Sequence, residues 1–216
     1  MNARERRAAR DKQAQLQRQA DHVADATAFA YFMGWPLEHR ITITWGACYG
    51  GERIEGNILG LNDKARNERL RSELRRLLRK FGYPLACIWS RDEGARLGLH
   101  VHLGLYWPLP DDELVKLLTR LTGSPATYAR LGQGVTAQSE CGGWQIKRNI
   151  AVSRLASAQR WAGYLVDQRE RHLIAPKIKG KVLGVSRSID YAPVEAQRES
   201  LEAWKRDVGW IEAESP

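Results

Sequence analysis

The segment Gly98–Tyr106 alternates between two kinds of side chain, and this alternation constrains the fold more strongly than any other feature of the chain. It reads Gly-Leu-His-Val-His-Leu-Gly-Leu-Tyr. Successive side chains of a β-strand point to opposite faces, so the leucines and the valine share one face while His100 and His102 share the other. The apolar face is expected to be buried. Same-face neighbours on a strand are about 6.5 Å apart, so both imidazoles can bind one divalent metal ion.

The other periodic segments predict an α+β domain with a central antiparallel β-sheet flanked by helices, in which the two histidines lie on a middle strand. Alternating or apolar runs predict strands, and leucines at three-to-four-residue spacing predict helices. The strands are expected at Ile41–Trp45, Leu85–Trp89, Leu99–Trp107 and Trp144–Arg148, and the helices at Asp63–Lys80, Asp111–Leu121 and Val152–Arg171. A turn is expected at Arg91–Gly94 and loop structure across the glycine-rich residues 123–143.

Positive charge is concentrated in one part of this basic chain, whose formal net charge is +9. Residues 144–188 contain ten lysines and arginines against two acids, whereas residues 190–216 contain seven acids against three bases. Such asymmetry indicates a polyanionic partner, although a solubilising surface is the simpler alternative. The basic residues expected to contact phosphates, partly in the segment 176–188, are Lys147, Arg148, Arg169, Arg171, Lys177, Lys179, Lys181 and Arg187.

We expect three regions along the chain. Residues 1–36 are predicted to form a basic helical extension, residues 37–190 the central domain, and residues 191–216 an acidic helix or tail. No apolar run approaches the roughly 18 residues that a membrane span requires, so the expectation is a soluble, cytoplasmic protein. The three cysteines form no CxxC pair, and neither a disulfide framework nor a zinc knuckle is indicated.

Two histidines form an incomplete metal site, because a catalytic ion also needs a third protein ligand and free positions for substrate. Asp92 and Glu93 are the nearest candidates, since a hairpin would return either carboxylate toward His100 and His102, and Asp92 is preferred. A strand with two ordinary surface imidazoles is the alternative. The apolar opposite face, the nearby acids and the small residues on either side favour a metal site.

The sequence Gly98-Leu-His-Val-His-Leu-Gly-Leu105 resembles the histidine–hydrophobic–histidine motif of the HUH endonucleases, which include rolling-circle replication initiators, relaxases and transposases. The upstream Ile-Thr-Ile-Thr run at residues 41–44 and the acid before the histidines are similar to that family in order and spacing. The resemblance covers residues 38–190. It implies a ferredoxin-like or RRM-like fold, a Mg²⁺ or Mn²⁺ ion, and a catalytic tyrosine on a later helix.

Tyr164 is the residue that matches the family's single tyrosine. The resemblance implies that its hydroxyl attacks a phosphodiester of single-stranded DNA, or of a DNA hairpin, at the replication origin of a plasmid or phage, with a host helicase as a further partner. The family commonly has a lysine three or four residues after the tyrosine, but this chain has Asp167 and Gln168. That departure leaves open a DNA-binding protein without nicking activity. A transposase or relaxase with the same chemistry is a further alternative.

Overall fold

The computed structural model of the chain describes residues 3–48, 63–94, 98–127, 135–148, 160–164 and 183–210. The helices are α1 (Ala3–Phe32), α2 (Asp63–Lys80), α3 (Asp111–Thr122), α4 (Tyr191–Ala196) and α5 (Arg198–Asp207). Residues 160–164 are also helical. Single 3₁₀ turns lie at Trp45–Ala47 and Arg187–Ile189. None of the described helices has the length and apolar character needed to cross a membrane.

Seven antiparallel strands form one sheet in the described part of the chain. The strands are β1 (His39–Thr44), β2 (Cys87–Gly94), β3 (Gly98–Leu105), β4 (Ala126–Thr127), β5 (Val135–Ser139), β6 (Trp144–Arg148) and β7 (Leu183–Val185). Their spatial order is β4-β5-β6-β1-β3-β2-β7. The histidine strand β3 therefore lies between β1 and β2, where both of its edges are paired.

Helices α2 and α3 cover the apolar side of the sheet. Val101, Leu103 and Leu105 of β3 belong to one buried cluster with leucines of both helices, among them Leu74 and Leu114. In α2 the leucines recur at three-to-four-residue intervals, which aligns them along one side of the helix. The predicted apolar face of the histidine strand is therefore part of the main core.

Helices α1, α4 and α5 pack on the other side of the sheet. The last third of α1 contributes Phe29 to a second buried cluster that includes Ile88 of β2, Val185 of β7 and Leu201 of α5. The described side chains of residues 4–18, in contrast, are exposed. This second buried cluster therefore contains residues from all three predicted regions, whose boundaries are expected near residues 36 and 190.

Most of the predicted elements are confirmed. Strand β6 and helix α2 have the predicted bounds, and β1, β3 and α3 differ from them by about two residues at most. The predicted Val152–Arg171 helix is described only at residues 160–164, which are helical. The coarse fold class, an α+β domain with an antiparallel sheet flanked by helices, is also confirmed.

Two local predictions are wrong. The expected turn at Arg91–Gly94 is the end of β2, which pairs with β3 up to Gly94 and Gly98. The expected loop at residues 123–143 contains β4 and β5. Strand β7 lies in the basic segment at residues 176–188, for which the sequence predicts no helix or strand. These short strands form because a neighbouring strand supplies hydrogen-bond partners, and local composition does not encode that neighbour.

A partly buried ionic cluster joins α1 to α5. Asp25 accepts hydrogen bonds from Lys205 Nζ at 2.6 Å and from Arg198 Nη1 at 2.7 Å, and Lys205 is only 4% exposed. Burial alone would raise the pKa of the Asp25 carboxyl, but the hydrogen bonds from Lys205 and Arg198 outweigh it and lower that pKa. The cluster therefore stabilises the packing of the C-terminal helices while Asp25 is ionised.

We expect Asp25→Asn to lower the free energy of unfolding by about 2–3 kcal/mol at pH 7, because it removes the nearer of the two described carboxylates that pair with the buried Lys205 ammonium. Of these two, Glu202, whose Oε1 lies 3.0 Å from Lys205 Nζ, would remain. Since the folded pKa of Asp25 lies below its unfolded value, this contribution is present above about pH 4 and lost as the pH falls through the folded pKa. Urea unfolding between pH 3 and 7 measures both effects.

Glu195→Gln is the control, since Glu195 also pairs with Arg198 but its side chain is 60% exposed. It should change the free energy of unfolding by less than about 0.5 kcal/mol. Equal effects of the two substitutions would show that burial of the Asp25 pair does not stabilise the fold.

Candidate active site

His100 and His102 lie side by side on the face of the sheet opposite the main core. They are 5% and 7% exposed, and their ring centroids are 4.9 Å apart. The strand alternation read from the sequence places both on one face, and pairing on both sides of β3 holds the backbone beneath them. The result is a buried imidazole pair on an interior strand.

The register of β2 distinguishes the two candidate acids. Asp92 is directly opposite His100, and its Oδ2 lies 3.7 Å from His100 Nε2. Glu93 is opposite Leu99, so by strand alternation its side chain leaves the sheet on the apolar side. Of the two residues predicted as third ligands, the structure brings Asp92 to the histidines and does not bring Glu93.

Backbone and side-chain oxygens hold the Nδ1 atoms of both histidines. His100 Nδ1 donates to the carbonyl oxygen of Gly98 at 2.9 Å, and His102 Nδ1 lies 3.0 Å from Thr42 Oγ1. Hydrogen bonds at Nδ1 orient an imidazole and direct its Nε2 lone pair outward, which is how metal-binding histidines are commonly held. Nε2 is therefore the atom that each ring presents to a ligand.

Burial and, to a smaller extent, the neighbouring His100 lower the pKa of His102 to about 4, although Asp92 opposes the shift. His102 is accordingly neutral at pH 7. The neutral imidazole is the form that binds a metal ion, because the proton of the charged form occupies the lone pair that the metal needs.

The donor set of His100, His102 and Asp92 suits a divalent cation, since it combines two imidazole nitrogens with one carboxylate. Asp92 Oδ1 accepts the backbone N–H of Glu93 at 2.7 Å, which leaves Oδ2 directed toward His100. Within the described residues, no three or more His, Cys, Asp or Glu side chains already enclose an ion position. The three side chains are therefore of a suitable chemical type for a metal ion, although their present positions in the described part of the chain do not converge on one.

Tyr164 contacts the site from the helical residues 160–164. Its hydroxyl lies 3.2 Å from His102 Nε2, and its side chain is 37% exposed. The phenol therefore faces the histidines from the solvent side and does not point into the core. Because oxygen and nitrogen are in hydrogen-bond contact, a phosphate can enter between them only if Tyr164 moves away from His102.

Trp161 packs Tyr164 against the sheet. The two rings are stacked with centroids 5.0 Å apart, and the guanidinium of Arg40 lies 5.1 Å from the centroid of Trp161. Trp161 Nε1 would be only 2.8 Å from a Cβ atom at Gly104, which lies two residues after His102 on the same face. The missing side chain at Gly104 thus provides the space in which Trp161 lies.

The basic residues predicted to bind DNA are in different places. Lys147 is exposed and opposite Arg40, on the histidine side of the sheet. Arg148 is on the other face, within 4.0 Å of Glu38 and 3.9 Å of Asp111, and Arg187 is exposed after β7. The remaining predicted residues, and the two in place of the family lysine, lie outside the described ranges: Arg169, Arg171, Lys177, Lys179, Lys181, Asp167 and Gln168.

Sequence reasoning did not identify Thr42 or Ser90 as part of the site. In the register both flank His102, Thr42 on β1 and Ser90 on β2. Ser90 is 1% exposed, and its Oγ has no hydrogen-bond partner among the described residues. The alternation in residues 41–44 could have placed Thr42 on the polar face of its strand, but nothing in the sequence pairs it with His102.

Comparison with known proteins gives no relative for this arrangement, since no protein-family model, curated protein or solved structure matches the chain.

We expect Gly104→Ala to displace Trp161 and to lower the free energy of unfolding by about 1–3 kcal/mol, because the added Cβ would overlap the indole. Gly163→Ala is the matched control, since a Cβ there meets nothing within 4 Å. It should be neutral or slightly stabilising. Denaturant unfolding measures both changes.

The same substitution in a Trp161→Ala background identifies the cause. There Gly104→Ala should cost less than about 0.5 kcal/mol, since the overlapping ring is gone. A full cost in that background would mean that Trp161 is not what requires glycine at this position.

Proposed function

We propose that this chain is a metal-dependent endonuclease that cuts and rejoins single-stranded DNA through a covalent bond to Tyr164. The observation that carries the proposal is the 3.2 Å contact between the Tyr164 hydroxyl and His102 Nε2, in a site that also holds His100 and Asp92. A phenol beside two imidazoles and a carboxylate combines a nucleophile with side chains that can bind a divalent cation. The α+β fold with an antiparallel sheet is consistent with the HUH resemblance.

In the cutting step, Tyr164 Oη attacks the phosphorus and the bond from phosphorus to the 3′ oxygen breaks. The phenolic proton leaves to solvent or a base, and the released 3′ oxygen gains a proton. The 5′ end stays on Tyr164 as a phosphodiester. Attack of a 3′ hydroxyl on this phosphotyrosyl bond reverses the step and joins DNA without an added energy source.

His100, His102 and Asp92 would hold Mg²⁺ or Mn²⁺, which when bound would polarise the scissile phosphate and neutralise developing charge. The protein's own part is orientation: Thr42 holds the His102 ring, and Trp161 supports the Tyr164 ring. Lys147, exposed on the same side of the sheet, is available to the phosphate backbone. The biological role proposed for this chemistry is initiation of rolling-circle replication at a plasmid or phage origin, with a host helicase as partner.

A second candidate function is DNA binding without cleavage. It is favoured by one observation, the direct contact of the Tyr164 hydroxyl with His102 Nε2, which engages a nitrogen that a metal ion would need. If this contact persists with DNA bound, the tyrosine is not released to attack. Such a protein would show salt-sensitive DNA binding and no covalent product.

The proposed nucleophile is tested with a 5′-labelled and a 3′-labelled origin-like oligonucleotide in Mn²⁺. The wild-type chain should form a covalent adduct that retains the 3′-labelled fragment, whose 5′ phosphate is bonded to Tyr164. Tyr164→Phe should lower adduct formation by at least about 10³-fold, because the attacking oxygen is absent. Denaturing electrophoresis measures the adduct.

Tyr106→Phe is the matched control. Tyr106 directly follows β3 on the histidine side of the sheet, but its ring packs against Tyr83. It should leave adduct formation within about twofold of wild type. No adduct with the wild-type chain would favour the binding-only function, and an adduct that survives in Tyr164→Phe would assign the nucleophile elsewhere.

Because the Tyr164 hydroxyl contacts His102 Nε2, we expect the phenol to compete with a metal ion for that nitrogen. Tyr164→Phe should bind Mn²⁺ about 2- to 10-fold more tightly than wild type, because no hydrogen bond has to break before the ion binds. His102→Ala should weaken binding strongly. Calorimetric titration of the metal alone measures both, and unchanged or weaker binding by Tyr164→Phe would contradict the competition.

A further inference from the structure

The outer face of α2 is a strongly basic surface that the proposed reaction does not use. Its inner face packs against the apolar side of the sheet through Leu70, Leu74 and Leu78. Its outer face therefore points away from the sheet on the side opposite His100 and His102. The exposed charged side chains described on α2 are Lys64, Glu68, Arg69, Arg75, Arg76, Arg79 and Lys80.

This face carries six basic side chains and one acidic side chain, an excess of five positive charges. A helix rises about 1.5 Å per residue, so the charges extend over about 24 Å. Lys64 is 3.9 Å from the acidic Glu68, whereas Arg75 and Arg79 form no ion pair among the described residues. Arg75 and Arg79 are one helical turn apart and present adjacent guanidinium groups.

A buried carboxylate orders the arginines at the edge of this face. Glu73, whose side chain is 7% exposed, accepts hydrogen bonds from Arg76 Nη2 at 2.8 Å and from Arg120 Nη2 of α3 at 3.0 Å, and Arg69 Nη2 lies within 3.2 Å. Burial would raise the pKa of Glu73, but the hydrogen bonds from Arg76 and Arg120 lower it. Three guanidinium groups thus surround one negative charge and remain 44–66% exposed.

We propose that the outer face of α2, extended by Arg120, binds the phosphate backbone of duplex DNA. A convex helix with ordered arginines matches phosphates on the outside of a duplex, whose bases are already stacked and paired. Single strands are instead bound in grooves with aromatic side chains on which the bases stack. A membrane surface is disfavoured, since the apolar face that an interfacial helix would insert is buried in the core.

The position of the surface defines which part of a DNA substrate reaches it. The sheet and α2 together separate the outer face from the histidines by roughly 15–20 Å. A short single strand bound at Tyr164 does not extend to α2, whereas a hairpin stem or flanking duplex does. This inference rests on the proposed nicking function for the identity of the substrate, but the binding it describes is measured independently of cleavage.

The test uses the full chain in EDTA, so that no cleavage takes place. Arg75→Gln/Arg79→Gln should bind a labelled 20-base-pair duplex about 5- to 50-fold more weakly than wild type at 0.1 M salt. The slope of log affinity against log salt should become shallower by about 2, one phosphate contact for each arginine removed. Fluorescence anisotropy over a salt series measures both, and Arg75→Glu/Arg79→Glu should increase the loss.

Arg18→Gln/Arg206→Gln is the matched control, because it removes the same charge from exposed positions of α1 and α5 on the other side of the sheet. It should keep duplex affinity within about twofold of wild type. Equal losses in the two double variants would mean that net charge alone drives binding. That result would overturn the proposal. An unchanged duplex affinity in Arg75→Gln/Arg79→Gln would also overturn it, as would binding of the chain to anionic lipid vesicles but not to duplex DNA.

A cleavage assay on a short single strand distinguishes failure of the duplex-binding surface from failure of the nicking function. With a 12-nucleotide single strand and Mn²⁺, Arg75→Gln/Arg79→Gln should form the Tyr164 adduct at the wild-type rate. A selective loss of that adduct, with duplex binding intact, would place the two arginines at the reaction site and overturn their role as a duplex surface. If no variant forms an adduct while duplex binding still depends on Arg75 and Arg79, the nicking function fails and the surface stands.

Discussion

The two-sided character of β3 is the constraint on which the rest of the molecule depends. Every second side chain of this strand enters the main core, and the residues between them form the polar site. A shift of one residue in its pairing would move Val101 and Leu103 to the other side and bury His100 and His102 among leucines. The hydrophobic effect that assembles the core therefore also determines which way the histidines point.

Because β3 is paired on both edges, its two neighbouring strands determine which side chains surround the histidines. Strand β2 brings Asp92 beside His100, and strand β1 brings Thr42 beside His102. Each partner is at a directly opposed position of the register, so its place is determined by backbone hydrogen bonds. A hydroxyl that orients one ring and a carboxylate beside the other are the kind of surroundings that tune histidine ligands.

The polar site is completed from a distant part of the chain. Gly104 lacks a side chain where Trp161 approaches the sheet, and Trp161 in turn stacks against Tyr164. The same contacts restrict the phenol to the edge of the histidine pair. A residue without a functional group thus controls the position of the candidate nucleophile, which ties the proposed chemistry to core packing.

The sequence by itself determined the features that repeat locally. The common face of His100 and His102 and the bounds of α2 follow from periods of two and about 3.6 residues. Only the tertiary structure placed Asp92 and not Glu93 beside His100, paired Thr42 with His102 and brought Tyr164 into contact with that ring. The reason is physical: these relations join segments up to 62 residues apart, and they depend on strand register and helix docking, which no local pattern encodes.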